Sequence, residues 1–329
     1  MVEVDDASNH VRALPVPDGS TAVERVGRPA AILAGMRIAL LGLGLIGGSV
    51  ARALRDPSAP EGTTGWSIAA WTPSGRGPAA GLEDGVIDRA GDSPESAIEG
   101  ADLVVLAGPA LDCLAQLDDL AGAWRRSLAA DAVITDVAST KEAIVLRATA
   151  LGLRFVGGHP MAGRETSGYG ASSADLFVDR PWVVVPTSDA AAVERVEQLA
   201  TACRARPFRL GAAAHDRAVA GISHLPLVLA AALVEAVAGD GVAGPAADWP
   251  TAAGLAASGW RDTTRLARGD ATMGAGIIAT NAPAIAGRVR ELRRVLDGWQ
   301  EELDREGGPD ATVIAARLAA ARRRLEEPG

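Results

Sequence analysis

The sequence predicts an α/β Rossmann fold, a doubly wound parallel sheet, followed by an all-helical domain. Three observations carry this. The glycine fingerprint "GLGLIG" follows a short apolar run. Apolar runs then alternate with helical patterns over about 150 residues, as strand–helix–strand units do. After Pro186 the alternation gives way to Ala- and Leu-rich helical stretches that continue to Leu325.

The elements follow in order. Residues 1–35 are rich in Pro, Ala, Gly and charge without a sustained period, and are expected to form a disordered leader. Their acidic, polar start is not a secretory signal. "RIALL" suits a buried parallel strand, and "LIGGSVARALRD" a helix. "WSIAAW", "ADLVVLAGP", "DAVITDV", "RFVGGHP" and "PWVVVP" read as further strands. These elements define a dinucleotide-binding domain over 36–187. Beyond it a helical second domain spans 188–329, opening with the helix "DAAAVERVEQLATACR" and a last short strand "PFRL". Residues 216–238 are apolar nearly all round, as expected for a helix buried in a core or a subunit interface. His224, Pro226 and Glu235 interrupt this run, so no membrane span is expected.

Composition narrows the partners. The net charge of −9 lacks the basic face that nucleic acid or an anionic membrane needs. Cys113 and Cys203 cannot build a disulfide framework, so a cytoplasmic location is expected. The histidines show no metal-ligand spacing, and no metal is expected. Lys141 is the single lysine of the chain.

Gly42, Gly44 and Gly47 permit a tight turn, from which the backbone N–H groups of residues such as Leu45 and Ile46 reach a pyrophosphate at a helix N-terminus. The strand before and the helix after favour this over a plain glycine-rich turn. The second strand ends in "AAWTPSGRG", with Thr72, Ser74 and Arg76 and no adjacent acid for a ribose. Hydroxyls and a guanidinium suit a 2′-phosphate, which tips the cofactor NAD(P)+ towards NADP+; the alternative is a solvated Arg76.

"TDVASTKEAI" ends one strand and begins a helix, so Asp136, Ser139 and Lys141 lie where an open α/β sheet binds ligands. Ser139 or Thr140 equally suits a helix N-cap. His159, in "GGHPMAGRETSG", follows another strand end among glycines, where a neutral imidazole can take a proton from a hydroxyl. His215 and Asp216 suit a cap and a polar contact between helices. His224, two residues before Pro226, marks either a core histidine or a helix irregularity near a site. Arg261 and Arg265 stand one helical turn apart and suit an anionic substrate, or an exposed helix paired with Asp262 and Asp270.

"GLGLIGGS", "TDVASTK", "GGHPMAGRETSG", "HDRAVAGISHLP" and "GWRDTTRLA", in this order over about residues 36–300, resemble the prephenate/arogate dehydrogenase (TyrA) family. The resemblance implies a Rossmann domain, a helical domain that makes a homodimer, and oxidative decarboxylation. In that reaction hydride leaves the hydroxyl-bearing ring carbon for the nicotinamide, CO2 departs and the ring becomes aromatic. It implies His159 as the group that takes the hydroxyl proton and Ser139 as the group that orients it. Arg265 is implied at a substrate carboxylate, and Glu165 at the site entrance. The implied function is a prephenate dehydrogenase of tyrosine biosynthesis. Arogate and an amino-substituted prephenate are the alternative substrates, and an NAD(P)-binding sensor is the non-enzyme alternative. The chain departs from the family pattern at Leu227, where "SHLPH" is common, and at Arg164, where Thr or Ser is common.

Overall fold

The computed structural model describes residues 35–327 except Thr64, Glu165, Asp240, Val242 and Ala243, together with the backbone of Glu24–Arg25. The chain forms two compact units, 1–282 and 283–329.

The first unit contains two sheets. Strand β1 is Glu24–Arg25, β2 Arg37–Leu41, β3 Ser67–Trp71, β4 Arg89–Ala90, β5 Leu103–Leu106, β6 Val133–Asp136, β7 Phe155–Val156, β8 Gly158–Pro160, β9 Pro181–Val184 and β10 Arg206–Arg209. Strands β2 to β7 form a six-stranded parallel sheet in the order β4-β3-β2-β5-β6-β7. Counted from β2 this is the Rossmann order 3-2-1-4-5-6. The apolar runs explain it. Ile38, Leu40, Leu103 and Val105 pack into a core on one face, and Ala39, Leu41, Val104 and Leu106 into a core on the other. A strand buried on both faces needs helices on both, and each such Leu, Ile or Val contributes about 1.5–3 kcal/mol. Helices α1 (Leu45–Arg55), α2 (Arg76–Glu83), α3 (Pro94–Ile98), α4 (Ala110–Ala121) and α5 (Glu142–Ala150) connect the strands.

The predicted strand "RFVGGHP" is divided. Gly157 separates β7, in the parallel sheet, from β8, which pairs antiparallel with β9 in a second sheet of order β1-β10-β9-β8. A Cβ on Gly158 would lie 2.7 Å from the Asp136 carbonyl oxygen, so only glycine lets the chain cross β6 this closely.

After β9, helix α6 (Ala190–Ala202) leads to β10, which runs parallel to β9. The sheet therefore continues past the expected boundary at 187, to Arg209. The expected leader lies outside the described residues, apart from Gly35 and the Glu24–Arg25 backbone. That backbone pairs antiparallel with β10, whose edge offers a row of backbone groups for a strand to pair with.

Helix α7 (Ala212–Val219) runs through a π-helical turn, Ala220–His224, into α8 (Leu225–Ala238). Helices α9 (Trp249–Leu255), α10 (Ser258–Thr263) and α11 (Ala271–Thr280) follow. The run Ala212–Ala238 is long and apolar enough to cross a membrane by length and composition alone. Burial within the chain was one expectation for it, yet Ala230 is the only buried residue of α8. The second unit holds α12 (Ala282–Leu303) from Pro283 onward, and α13 (Ala311–Glu326). Arg317 joins these two helices, bonding the Gly298 carbonyl at 2.6 Å and lying over the Trp299 ring.

Candidate active site

The glycine fingerprint sits between β2 and α1, where the strand order reverses beside β5. Gly42 has φ +119°, and a Cβ on it would meet the Ala107 carbonyl oxygen at 2.6 Å. A Cβ on Gly47 would fall 2.1 Å from the Gly42 carbonyl oxygen, so α1 can pack on this turn only as glycine. Around Gly44 a Cβ would meet nothing within 4 Å. Helix α1 begins there with no side-chain cap and no acid in its first turn. Leu45 and Ile46 open that turn, so its N-terminal dipole faces open space, as an incoming pyrophosphate requires.

Beside it, at the ends of β3 and β4, a cavity of about 380 Å³ is lined by Thr72, Ser74, Gly91 and Asp92, among others. The Thr72 hydroxyl is buried without a partner among the described residues, a polar atom left for a ligand. These features fit a dinucleotide. Arg76 is exposed at the start of α2 and does not line the cavity, and its guanidinium has no partner among the described residues. Asp92 is the acid that a search along β3 alone misses, since it arrives from the β4–α3 turn.

The second half of the site lies at the carboxyl ends of β6 and β8. Asp136 was expected at the cofactor; instead its fully buried carboxylate is consumed within the protein. It pairs with Lys141 and accepts the N–H groups of Ala138 at 3.0 Å and Gly158 at 3.1 Å. Burial pushes this carboxyl above its ordinary range, against the pull of Lys141 and the two N–H groups. The solitary lysine is thus a buried ion-pair partner that holds β8 against the end of β6.

His159 on β8 is nearly buried, and its Nδ1 lies 2.8 Å from Nε2 of His215. His215 Nδ1 lies 2.7 Å from Asp216 Oδ1. Asp216 also accepts the N–H groups of Lys141 at 2.8 Å and Glu142 at 2.9 Å. It therefore caps α5 from α7, a cap the sequence assigned to Ser139 or Thr140. Thr140 instead meets the Thr280 hydroxyl at 2.8 Å, and the half-buried Ser139 hydroxyl has no partner among the described residues. His224 ends the π-helical turn, as the irregularity reading expected, with Nδ1 3.1 Å from the Asn281 amide nitrogen. That amide also donates to the Asp216 carbonyl at 2.9 Å.

Burial lowers the His159 imidazole well below its ordinary value, with His215, Lys141 and His224 adding to the shift. Burial likewise lowers His224 to about 4, partly offset by Asp216. Both rings are therefore neutral near pH 7, and a neutral ring can accept a proton. Sequence spacing brought His159, Ser139 and Lys141 to one end of the sheet. The contact of His159 with His215, 56 residues away, and the part played by Asn281 had no sequence signal beyond the polar pair "HD".

Arg261 and Arg265 were expected on one helical face. The helix α10 stops at Thr264, a buried residue, and Arg265 opens a 3₁₀ helix, Arg265–Arg268, which packs along α8. Both arginines are exposed. Glu165 lies outside the described residues.

Comparison with known proteins fits this arrangement. The family model "Prephenate dehydrogenase, nucleotide-binding domain" matches residues 50–208, and "Prephenate dehydrogenase, dimerization domain" matches 211–313. The chain belongs to the prephenate dehydrogenase family. Family membership makes it an NAD(P)-dependent oxidoreductase. The prephenate dehydrogenase of Bacillus subtilis (strain 168) is 33% identical over 274 residues, 82% of this chain and 70% of the relative. The crystal structure of Synechocystis arogenate dehydrogenase is 30% identical with TM-score 0.69, covering 88% of this chain and 100% of that one. The prephenate dehydrogenase from A. aeolicus, in complex with hydroxyphenyl propionate and NAD+, shares the fold with TM-score 0.75 at 24% identity. That likeness covers 89% of this chain and 99% of the other. The family's nucleotide-binding match runs through α6 and into β10, in step with the sheet pairing.

Proposed function

We propose that this chain oxidatively decarboxylates prephenate to 4-hydroxyphenylpyruvate in tyrosine biosynthesis, and that His159 takes the proton of the substrate hydroxyl. The observation that carries the reading is the position of His159. It is a buried neutral imidazole at the strand ends, with Nδ1 engaged and Nε2 left without a partner among the described residues. Gly42, Gly44 and Gly47, the first N–H groups of α1, Thr72 and Ser74 would hold the cofactor. A bound NAD(P)+ supplies the hydride acceptor. Arg76 attracts a 2′-phosphate and Asp92 opposes it, and the Arg76 charge supports NADP+.

The protein's tasks are then to position two carboxylates and to handle one proton. His159 Nε2 accepts the hydroxyl proton as the ring carbon is oxidised. Ser139, whose hydroxyl has no partner among the described residues, orients the same oxygen. Once CO2 has left, the ring oxygen of the phenol takes the proton back, so none is released overall. Arg265 and Arg261 bind the substrate carboxylates, and His224 offers a neutral hydrogen bond. The poorly buried α8 and the match to a dimerisation domain support a homodimer. The buried free thiols of Cys113 and Cys203 support the cytoplasm.

Arogate is the second reading. It is favoured by Leu227, which removes a polar side chain from the substrate end, and by the likeness to an arogenate dehydrogenase. Initial rates with prephenate or arogate, each with NAD+ or NADP+, test the proposal. Dominant turnover of prephenate with NADP+ is expected, and arogate turnover would assign the preference to Leu227. Cofactor binding without turnover of either substrate would overturn the reading. Arg265→Ala should raise KM for the substrate at least 10-fold while leaving cofactor KM in place.

A further inference from the structure

His159 is well placed to receive a proton and poorly placed to keep one. It is nearly buried, and a charged ring there would face the Lys141 ammonium. A carboxylate only accepts, so Asp216 Oδ1, 2.7 Å from His215 Nδ1, places the proton of that nitrogen on His215. Neutral His215 is then bare at Nε2. The 2.8 Å contact with His159 must carry a proton, so His159 bears it at Nδ1. Its Nε2 is left bare and without a partner among the described residues, the tautomer that accepts from a hydroxyl.

The surrounding charges favour a cation at the far end of this chain. Asp136 and Lys141, from the β6–α5 segment, form one buried ion pair. Asp216, on α7, is a second buried carboxylate with no cationic side chain against it among the described residues, supported by the N-terminal N–H groups of α5. His224 and the neutral Asn281 face the cluster from the π-helical turn and the end of α11, and Glu142, beside Lys141, is exposed. Counted together, the buried groups hold one more carboxylate than cation.

We propose that His215 and Asp216 store the substrate's proton. As the hydroxyl O–H bond breaks, its proton forms an N–H bond at His159 Nε2. The His159 Nδ1–H bond breaks in step, and that proton forms an N–H bond at His215 Nε2. His159 stays neutral, now protonated at Nε2, and His215 becomes an imidazolium against the Asp216 carboxylate. The reverse shift returns the proton to the phenol oxygen. His215 never touches substrate and acts through His159. This inference rests on the role proposed above for His159.

Two measurements on the full chain test it. The first needs no turnover: 15N imidazole NMR of the unliganded protein, which has only four histidines, assigned by single substitutions. At neutral pH both His159 and His215 should carry the proton at Nδ1. On acidification the charge should appear on His215 while His159 stays neutral and switches to Nε2–H. A neutral-pH proton on His159 Nε2, or a His159 imidazolium beside neutral His215, overturns the proposal. The second is the pH profile of kcat/KM for wild type and His215→Gln. The glutamine oxygen can still accept from His159 Nδ1 but cannot hold a proton. Turnover should fall on the order of 10-fold or more, and the acid limb should move to lower pH, because buried His159 then titrates alone. A fall in amplitude with the limb unmoved would make His215 a structural support only and overturn the relay. Absence of turnover in the wild type with either substrate would sink the functional reading, and the NMR result would still decide the relay.

Discussion

At the scale of single residues, the adenosine end of the cofactor site turns on opposed charges. Arg76 is exposed and its guanidinium unpaired among the described residues, while Asp92 lines the cavity next to Thr72 and Ser74. A guanidinium attracts a 2′-phosphate and a carboxylate repels it. Arg76→Ala should therefore lower kcat/KM for NADP+ about 10-fold with little change for NAD+, and Asp92→Asn should move the preference the other way. Equal loss for both cofactors in Arg76→Ala would contradict this. Arg76 was legible in the sequence because it follows the second strand directly. Asp92 was not, because only the pairing of β3 with β4 brings it there. Asp136 misled for a related reason. Strand-end position identifies a residue near the site, but not whether its carboxylate faces the ligand or a buried lysine.

At the scale of elements, the site depends on a chain crossing. Gly157 and Gly158 let the chain leave the parallel sheet after β7 and enter the second sheet as β8, which presents His159. A Cβ on Gly158 would press on the Asp136 carbonyl oxygen at 2.7 Å and would also crowd Trp182. Gly158→Ala should destabilise the protein by about 1–3 kcal/mol, read as a lower Tm, and should reduce kcat because His159 shifts with the strand. An unchanged Tm and kcat would show that the crossing has slack. The sequence identified the apolar run and its glycines, but period-two patterning is blind to a change of sheet within a run. The π-helical turn at His224 was foreshadowed by Pro226, which removes a backbone donor just beyond it. The cap of α5 was sought in a local Ser or Thr, the usual acceptor of the first helical N–H groups, whereas here the Asp216 carboxylate accepts from 74 residues away.

At the scale of the whole molecule, neutral buried histidines couple folding to pH. His224 titrates at about 4 in the folded chain and His159 well below its ordinary value, against about 6.5 when unfolded. The unfolded chain therefore binds more protons between about pH 6.5 and 4. Their contribution to stability is fully present above that window and is lost as pH falls through it. Tm should drop over this range, and His224→Gln should flatten part of the drop. A Tm that holds constant or rises on acidification in both proteins would contradict the burial account. The division into a dinucleotide-binding part and a helical part was readable from the change in patterning after Pro186. Its exact place was not, because α6 resembles a first helix of the second part until β10 is seen to rejoin β9.

The most direct measurement of the central claim is the pair of cofactor affinity and turnover in His159→Asn, using the better substrate of the four-way assay. With His159 as the proton acceptor, cofactor Kd stays at the wild-type value and kcat falls roughly 10²–10⁴-fold. Wild-type turnover in this variant would contradict the account.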